Sequence, residues 1–476
     1  MGTDNNFIKN HTDDKTMLTQ LHLENFKAWQ KLDIQLGRVT GLFGTNSSGK
    51  TSILQFLLML KQTKNATDRG LVLDLGGPNQ LVNLGTFKDM VHKHQDNLPL
   101  DWILQWQLNK PLKISNPSGK RADILFQGDL LETSAGVSFK NQEMKSQYLT
   151  YRFAQHTFEI MKPKESAKEY ILKASSDSGK EFLFVRQQGR AWNLPGPIKT
   201  HLFPDQAKTY YQNADFLSFF EFEYENMMDQ IYYLGPLREY PKREYQWSGA
   251  RPFDVGYRGE RTVDAILSAT LRGEKRNVGY RKKILSFQEV IAYWLKELGL
   301  IQQFSIREIV EGSNLYRAIV KRDEESPEAF LTDVGFGVSQ VLPALVLLYY
   351  VPEGSTVLME QPEIHLHPSV QSGLADVILQ VANHRNIQVI IESHSEHLLR
   401  RFQRRIAEEQ YPAKELKLYF CDSVQGVSKL SDLDIDLFGE IRNWPENFFG
   451  DEMTEIAETQ KAILKRKMLA ASNNGG

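Results

Sequence analysis

The chain has 476 residues, enough for two to three compact units at ~150 residues each. Its net charge of −2 excludes a global field that would recruit nucleic acid, so any such contact must come from local patches. A lone cysteine, Cys421, excludes a disulfide framework and fits a reducing, cytoplasmic setting, and no apolar run approaches the ~18 residues of a membrane span.

The first sixteen residues are polar and lack the apolar segment of a signal peptide, so 1–16 reads as a disordered tail. From Leu18 to Leu36 apolar and polar residues alternate around Lys27, which predicts a β-hairpin of Leu18–Phe26 and Lys31–Leu36. The short apolar run RVTGLFG (38–44) then enters a glycine-rich turn, and KTSILQFLLMLKQT (50–63) has helical periodicity. From about Asp101 to Gln188, apolar runs ending in EFLFVRQQ, separated by turns such as NPSG and SDSG, predict an antiparallel, partly wet sheet. Residues 206–230 and 283–299 read as helices on either side of an arginine-rich loop, YYLGPLREYPKREYQW (232–247), and EESPEA (324–329) reads as a linker. Beyond it, helix Val338–Tyr350, strand Thr356–Glu360, helix Pro368–Ala382, strand Ile387–Glu392, helix Glu396–Glu409 and strand Leu416–Cys421 alternate as in a parallel α/β lobe. The expected organisation is the tail (1–16), an N-terminal lobe (17–200), a helical insertion (201–325), a C-terminal lobe (326–425) and a C-terminal tail (426–476).

Two stretches carry chemistry. Gly44-Thr45-Asn46-Ser47-Ser48-Gly49-Lys50-Thr51 matches G-x-x-x-x-G-K-[ST], with strand before it and helix after it, and Ser52 next to it is a further cofactor-binding candidate. In such a loop Gly44 and Gly49 permit tight turns, and backbone N–H groups around Asn46, Ser47 and Ser48 wrap the phosphates of ATP. Lys50 reaches the β and γ oxygens, Thr51 holds Mg²⁺, and the helix N-terminus adds partial positive charge. In the second stretch, the buried-looking run Val357-Leu358-Met359 ends in Glu360, an acid placed to bind the same Mg²⁺. Nucleotide hydrolases often have a second acid next, and here Gln361 stands there. An amide cannot accept a proton as a general base, but it can orient water. Glu363 and Glu392 are alternative carboxylates. His394 follows another apolar strand, at the edge where open α/β sheets bind ligands. FLTDVGFGVSQ (330–340) is a glycine-bearing helix start in which Gly335 and Gly337 can approach an anion. His365, His367 and His397 lack metal-ligand spacing.

Together these motifs resemble the ABC-type ATPase superfamily, in the branch that holds SMC and repair ATPases, OLD nucleases and the AAA ATPase subunits of bacterial anti-phage systems of the PARIS, Septu and Menshen kind. LHLENFKAW with GLFGTNSSGKTSIL looks like the branch's first strands and Walker A. LMEQPEIHLHP looks like its Walker B and D-loop, IIESHSEHLL its switch histidine, and DVGFGVSQVLP its signature. The resemblance implies an α/β fold: an ABC-type ATPase head with a mixed, mainly parallel P-loop core sheet, an antiparallel β lobe and an inserted helical region. It implies ATP and Mg²⁺, with catalytic positions at Glu360, Gln361, Glu363 and His394 and slow turnover because of Gln361. It further implies a dimer or higher oligomer in which Gly335, Gly337 and Ser339 of one subunit meet the ATP of another. Gly335 stands where the signature usually has serine, and only Gln80 and Gln95 offer themselves as a Q-loop glutamine. About 80 residues follow His394, too few for the nuclease domain of OLD proteins, so a separately encoded effector, nuclease or toxin, is the implied partner. Asp434 and Asp436 read as a solvated turn. Two basic patches, Arg400, Arg401, Arg404 and Arg405, and Arg238, Lys242 and Arg243, could touch DNA or an acidic protein or be plain solvated faces, and Arg238 alternatively reaches the cleft; the trigger implied is DNA or a phage protein. No membrane contact is expected. The competing functions are a DNA repair or recombination ATPase, and a nucleotide-gated binding module without turnover.

Overall fold

The computed structural model describes residues 16–115, 123–163, 169–177, 179, 182–188, 193–279, 282–445 and 459–463. Most of the expected tail 1–16 and much of 426–476 lie outside the described residues. The core is a six-stranded sheet in the order Val427–Asp432, Leu416–Val424, Val39–Gly44, Gln388–Glu392, Thr356–Glu360, Ile231–Leu234. Its neighbours pair in parallel, except that the Val427–Asp432 edge strand is antiparallel. A mainly parallel sheet is covered on both faces, which is why its strands are unbroken apolar runs. Leu42, Leu358 and Ile390 face one core, shared with helix Lys50–Asn65 and the antiparallel sheet. Val39, Phe43, Val357, Met359, Val389 and Ile391 face the other, against helices Phe287–Glu297, Phe336–Tyr350 and Pro368–His384.

The expected antiparallel sheet is present, with seven strands in the order Trp29–Gln35, Met17–Phe26, Leu100–Ser115, Ile124–Lys140, Glu143–Phe153, His156–Met161, Ile171–Ser176. The fold is therefore α/β, with a mainly parallel core sheet beside an antiparallel sheet, as the motifs implied.

Several local expectations change. YYLGPL is not all loop: Ile231–Leu234 is the edge strand beside Thr356–Glu360. Four residues carry too little periodicity to announce a strand, and a tertiary neighbour completes it. The helix expected over 206–230 is two, Asp205–Tyr210 and Leu217–Asp229. That expected over 283–299 begins at Phe287, capped by Ser286 with Glu289, because Ile284–Ser286 pairs as a short strand. EFLFVRQQ is no ladder strand among its described residues. Phe182 and Phe184 instead enter an aromatic cluster with Phe158 and Phe216. Part of the linker 324–329 is ordered too, since Ala329–Phe330 pairs with Leu315–Lys321.

Candidate ATP site

The strand Val39–Gly44 ends mid-sheet, between Leu416–Val424 and Gln388–Glu392. Gly44 turns at φ 135°, and a Cβ there would sit 1.9 Å from the Cys421 carbonyl oxygen. No other residue fits. Cys421 itself is a buried free thiol packed in the core. Gly49 caps helix Lys50–Asn65 at φ 90°, and Trp29 Nε1 donates to its carbonyl at 2.9 Å. Asn46 and Ser47 are exposed at the loop tip, whereas Ser48 and Ser52 are buried. Lys50 is buried and folds back on the loop, its Nζ donating to the Gly44 carbonyl at 3.1 Å and the Thr45 carbonyl at 2.6 Å.

Glu360 and Glu392 end neighbouring parallel strands in register. Thr51 Oγ1 donates to Glu392 Oε1 at 2.9 Å, which joins the phosphate loop to the distant acidic stretch in one cluster. Glu360 Oε1 accepts from the Tyr233 hydroxyl at 2.8 Å. Burial, and then the charge of Glu392, pushes Glu360 up to about 7. Burial also raises Glu392 and Glu363. Glu363 Oε1 accepts from the Ser393 hydroxyl at 2.7 Å and from the His394 N–H at 2.8 Å, so this carboxylate braces the loop that carries His394. His394 is exposed and bonded to the Gly44 backbone, which brings it to the mouth of the phosphate loop. Gln361 follows the strand end at φ 42°, and its N–H donates to the Glu392 carbonyl at 2.8 Å.

Three side chains join this cluster without having been assigned to it from motif spacing. Tyr233 comes from the short edge strand. Lys27, at the hairpin turn, donates to Gln55 Oε1 at 2.6 Å and faces the charge of Glu360. Arg238 is the third, and of the two destinations open to it from sequence the structure shows the cleft. It lies buried near Tyr233, Glu360 and Glu363, and burial pushes its guanidinium down to about 10. Gln80 and Gln95 are exposed in surface turns.

The glycine-bearing turn lies apart from the phosphate loop in sequence and opens helix Phe336–Tyr350. Gly335 is its exposed N-cap, and a Cβ there would meet nothing within 4 Å. Gly337 is half-buried and Ser339 is buried. Arg243 bonds Asp333 at 3.0 Å and ties the 238–245 segment to this turn. On helix Glu396–Ala407 the arginines are matched by acids. Arg400 meets Glu396 and Arg401 meets Asp376, each at 2.6 Å, Arg404 meets Glu408 at 2.7 Å, and Arg405 meets both Asp376 and Glu408. Asp436 accepts N–H bonds from Phe438 and Glu440, which makes the Asp434–Asp436 segment a turn.

With this geometry in place, the comparisons with known proteins are decisive for family. Residues 157–400, half of the chain, match the family described as "AAA domain, putative AbiEii toxin, Type IV TA system". The chain belongs to this family. Residues 17–192 of this AAA-domain protein also match the AAA ATPase domain, and residues 412–458 match a "Protein of unknown function (DUF3696)". The protein is thus an ATPase of the AAA type with a nucleotide-binding phosphate loop. No curated protein matches it. Similar solved structures include an SMC head domain from Thermotoga maritima, with 12% identity, 88% of this chain and 99% of that chain covered, and a TM-score of 0.36. Another is the Smc head domain with an extended coiled coil bound to the C-terminal domain of ScpA, derived from Pyrococcus furiosus, with 10% identity, 94% and 100% covered, and a TM-score of 0.40. Among the described residues no helix is long and apolar enough to cross a membrane.

Proposed function

We propose that this ATPase turns over slowly and uses bound ATP chiefly to hold an assembly, as the sensor and scaffold of a bacterial anti-phage system that restrains or releases a separate effector. The observation that carries the ATP site is the bond from Thr51 Oγ1 to Glu392 beside Glu360, since it gathers hard oxygen donors directly under the phosphate loop. Thr51, Glu360 and Glu392 fit Mg²⁺, which favours oxygen ligands and binds through one or two carboxylates plus phosphate. When bound, the ion neutralises charge on the β and γ phosphates. The chain's own residues do the rest. Lys50 exchanges loop carbonyls for phosphate oxygens, the loop N–H groups cradle the chain of phosphates, and His394 stands at the γ end.

Slow turnover is supported by Gln361, an amide at the strand end, and by Glu363, whose Oε1 is engaged in bracing the His394 loop. The exposed N-cap of the Gly335 helix supports assembly: a free helix N-terminus accepts an anion best when a second copy brings one. The acid-paired arginines of helix Glu396–Ala407 give DNA contact no comparable support.

The test is the mass of the full-length protein with its co-purifying partners, in ATP·Mg²⁺ and in ADP·Mg²⁺. ATP should shift it to a dimer or a multiple of dimers, with phosphate released over minutes. An unchanged mass in ATP would remove the scaffold function, and rapid phosphate release would remove the slow timer.

A further inference from the structure

Arg238 is placed by backbone bonds on either side: the Gly235 N–H donates to the Tyr257 carbonyl and the Glu239 N–H to the Arg258 carbonyl, both at 2.8 Å. The strand before it, Ile231–Leu234, runs parallel to Thr356–Glu360, so both deliver their next residues to the same crevice at the sheet's carboxyl edge. The residue is 9% exposed, and Nε, Nη1 and Nη2 all lack a hydrogen-bond partner in the protein. The charges facing it are Glu360 and Glu363, together with the Tyr233 hydroxyl that bonds Glu360. Glu363 also faces Lys50. The acidic cluster therefore has one cation on the phosphate-loop side and a second on the edge-strand side.

A buried guanidinium with no acceptor is costly to keep. Its planar fork of N–H donors matches phosphate oxygens two at a time. We propose that Arg238 reads the γ-phosphate of bound ATP, supplying from within the same chain the cation that separates ATP from ADP. This rests on the ATP-site reading above and adds to it the group that detects the third phosphate. Lys50 contributes to every nucleotide through the β-phosphate. Arg238 contributes only when a γ-phosphate spans the space between the loop and the edge strand. Position in the chain reinforces this. Arg243, five residues on, holds the turn before the Gly335 helix, so the segment that senses ATP is also the one bonded to the surface expected to meet a second subunit.

The test uses the full-length protein, Mg²⁺, ADP and the non-hydrolysable analogue AMP-PNP, with affinities measured by calorimetry. Arg238→Gln should weaken AMP-PNP by roughly tenfold or more while ADP stays within about twofold, as loss of a charged bidentate contact predicts. Arg238→Lys, which keeps the charge and loses the fork, should fall between; it also serves if the glutamine variant does not fold. Equal losses for both nucleotides would make Arg238 a structural cation, and no loss for either would place it outside the site. If the unmodified protein binds neither nucleotide, or if Lys50→Ala leaves both affinities intact, the ATP site itself is misassigned. That failure is separate from a normal ATP site with an idle Arg238.

Discussion

Buried cations occur in two regions of this molecule and are treated in opposite ways. Away from the site, Lys61 donates to the Met228 and Asp229 carbonyls at 2.8 and 3.3 Å, at the end of helix Leu217–Asp229. Arg385 donates to the Leu348 and Val351 carbonyls at 2.5 and 2.7 Å, at the end of helix Phe336–Tyr350. Both settle against the negative end of a helix and satisfy carbonyls that have no partner within it. At the carboxyl edge of the core sheet, Lys50 leans on its own loop and Arg238 on nothing in the protein. The same chemistry therefore does two jobs. A buried charge met by carbonyls at a helix end belongs to the fold, and on the proposed reading one held among unsettled carboxylates is kept for a ligand.

The strongest way to break this contrast is Lys50→Ala. It should lower ATP affinity by roughly 100-fold, the worth of a charged contact to phosphate, and leave thermal stability almost unchanged. A clear drop in melting temperature with intact nucleotide binding would put Lys50 with Arg385 as a fold cation. The converse experiment is Arg385→Met. It should cost about 2 kcal/mol in urea unfolding, because buried carbonyls lose their donor. The ratio of ATP to ADP affinity should not move; a change there would erase the distinction between the two regions.

How much of this was legible in the sequence follows from how local each feature is. The phosphate loop is contiguous, and Gly44 and Gly49 announce their own left-handed turns, so Lys50 and Thr51 were found by spacing alone. Glu360 is legible because an unbroken apolar run, Val357-Leu358-Met359, ends in it. Tyr233 is not, because its strand has four residues and exists only beside Thr356–Glu360. For Arg238 the sequence leaves two destinations open, a basic surface group and the cleft, since neither its burial nor its missing partners are written in neighbouring residues. The bond from Thr51 to Glu392 spans 341 positions and depends on the strand order. The basic look of HLLRRFQRR likewise omits what the fold brings to it. Its acids, Asp376 and Glu408, come from an adjacent helix and the next turn.

A milder probe of the fold cations is pH. Burial lowers Lys61 from the ordinary lysine value to about 8. Between pH 8 and about 10.5 the unfolded chain holds this proton and the folded chain has released it, so stability rises with pH in that window. The contribution is constant below pH 8, where both states are protonated. Lys61→Met should flatten that part of the stability curve by up to about 1.4 kcal/mol per pH unit. If the two proteins keep parallel curves from pH 8 to 10, the Lys61 ammonium is better hydrated than its position between the Tyr232 and Phe253 rings indicates.

The smallest expected effect concerns Gln361, and it decides what the unsettled carboxylates are for. Its backbone is fixed by the bond to the Glu392 carbonyl and a left-handed φ of 42°, so Gln361→Glu changes one atom of the side chain and little of the frame. If that side chain faces the attacking water, a carboxylate there should raise the rate of phosphate release severalfold, below the ~10²–10⁴ range open to general base catalysis because three nearby acids limit it. Affinity for AMP-PNP should hold or fall slightly from the added negative charge. Glu363→Gln should act differently. It loosens the Ser393–His394 loop, so it should reduce order at that loop more than it changes the pH profile of turnover. Were Glu363→Gln to stop hydrolysis while Gln361→Glu did nothing, the base would sit two residues later. The carboxylate that braces His394 would then be the one that works on water.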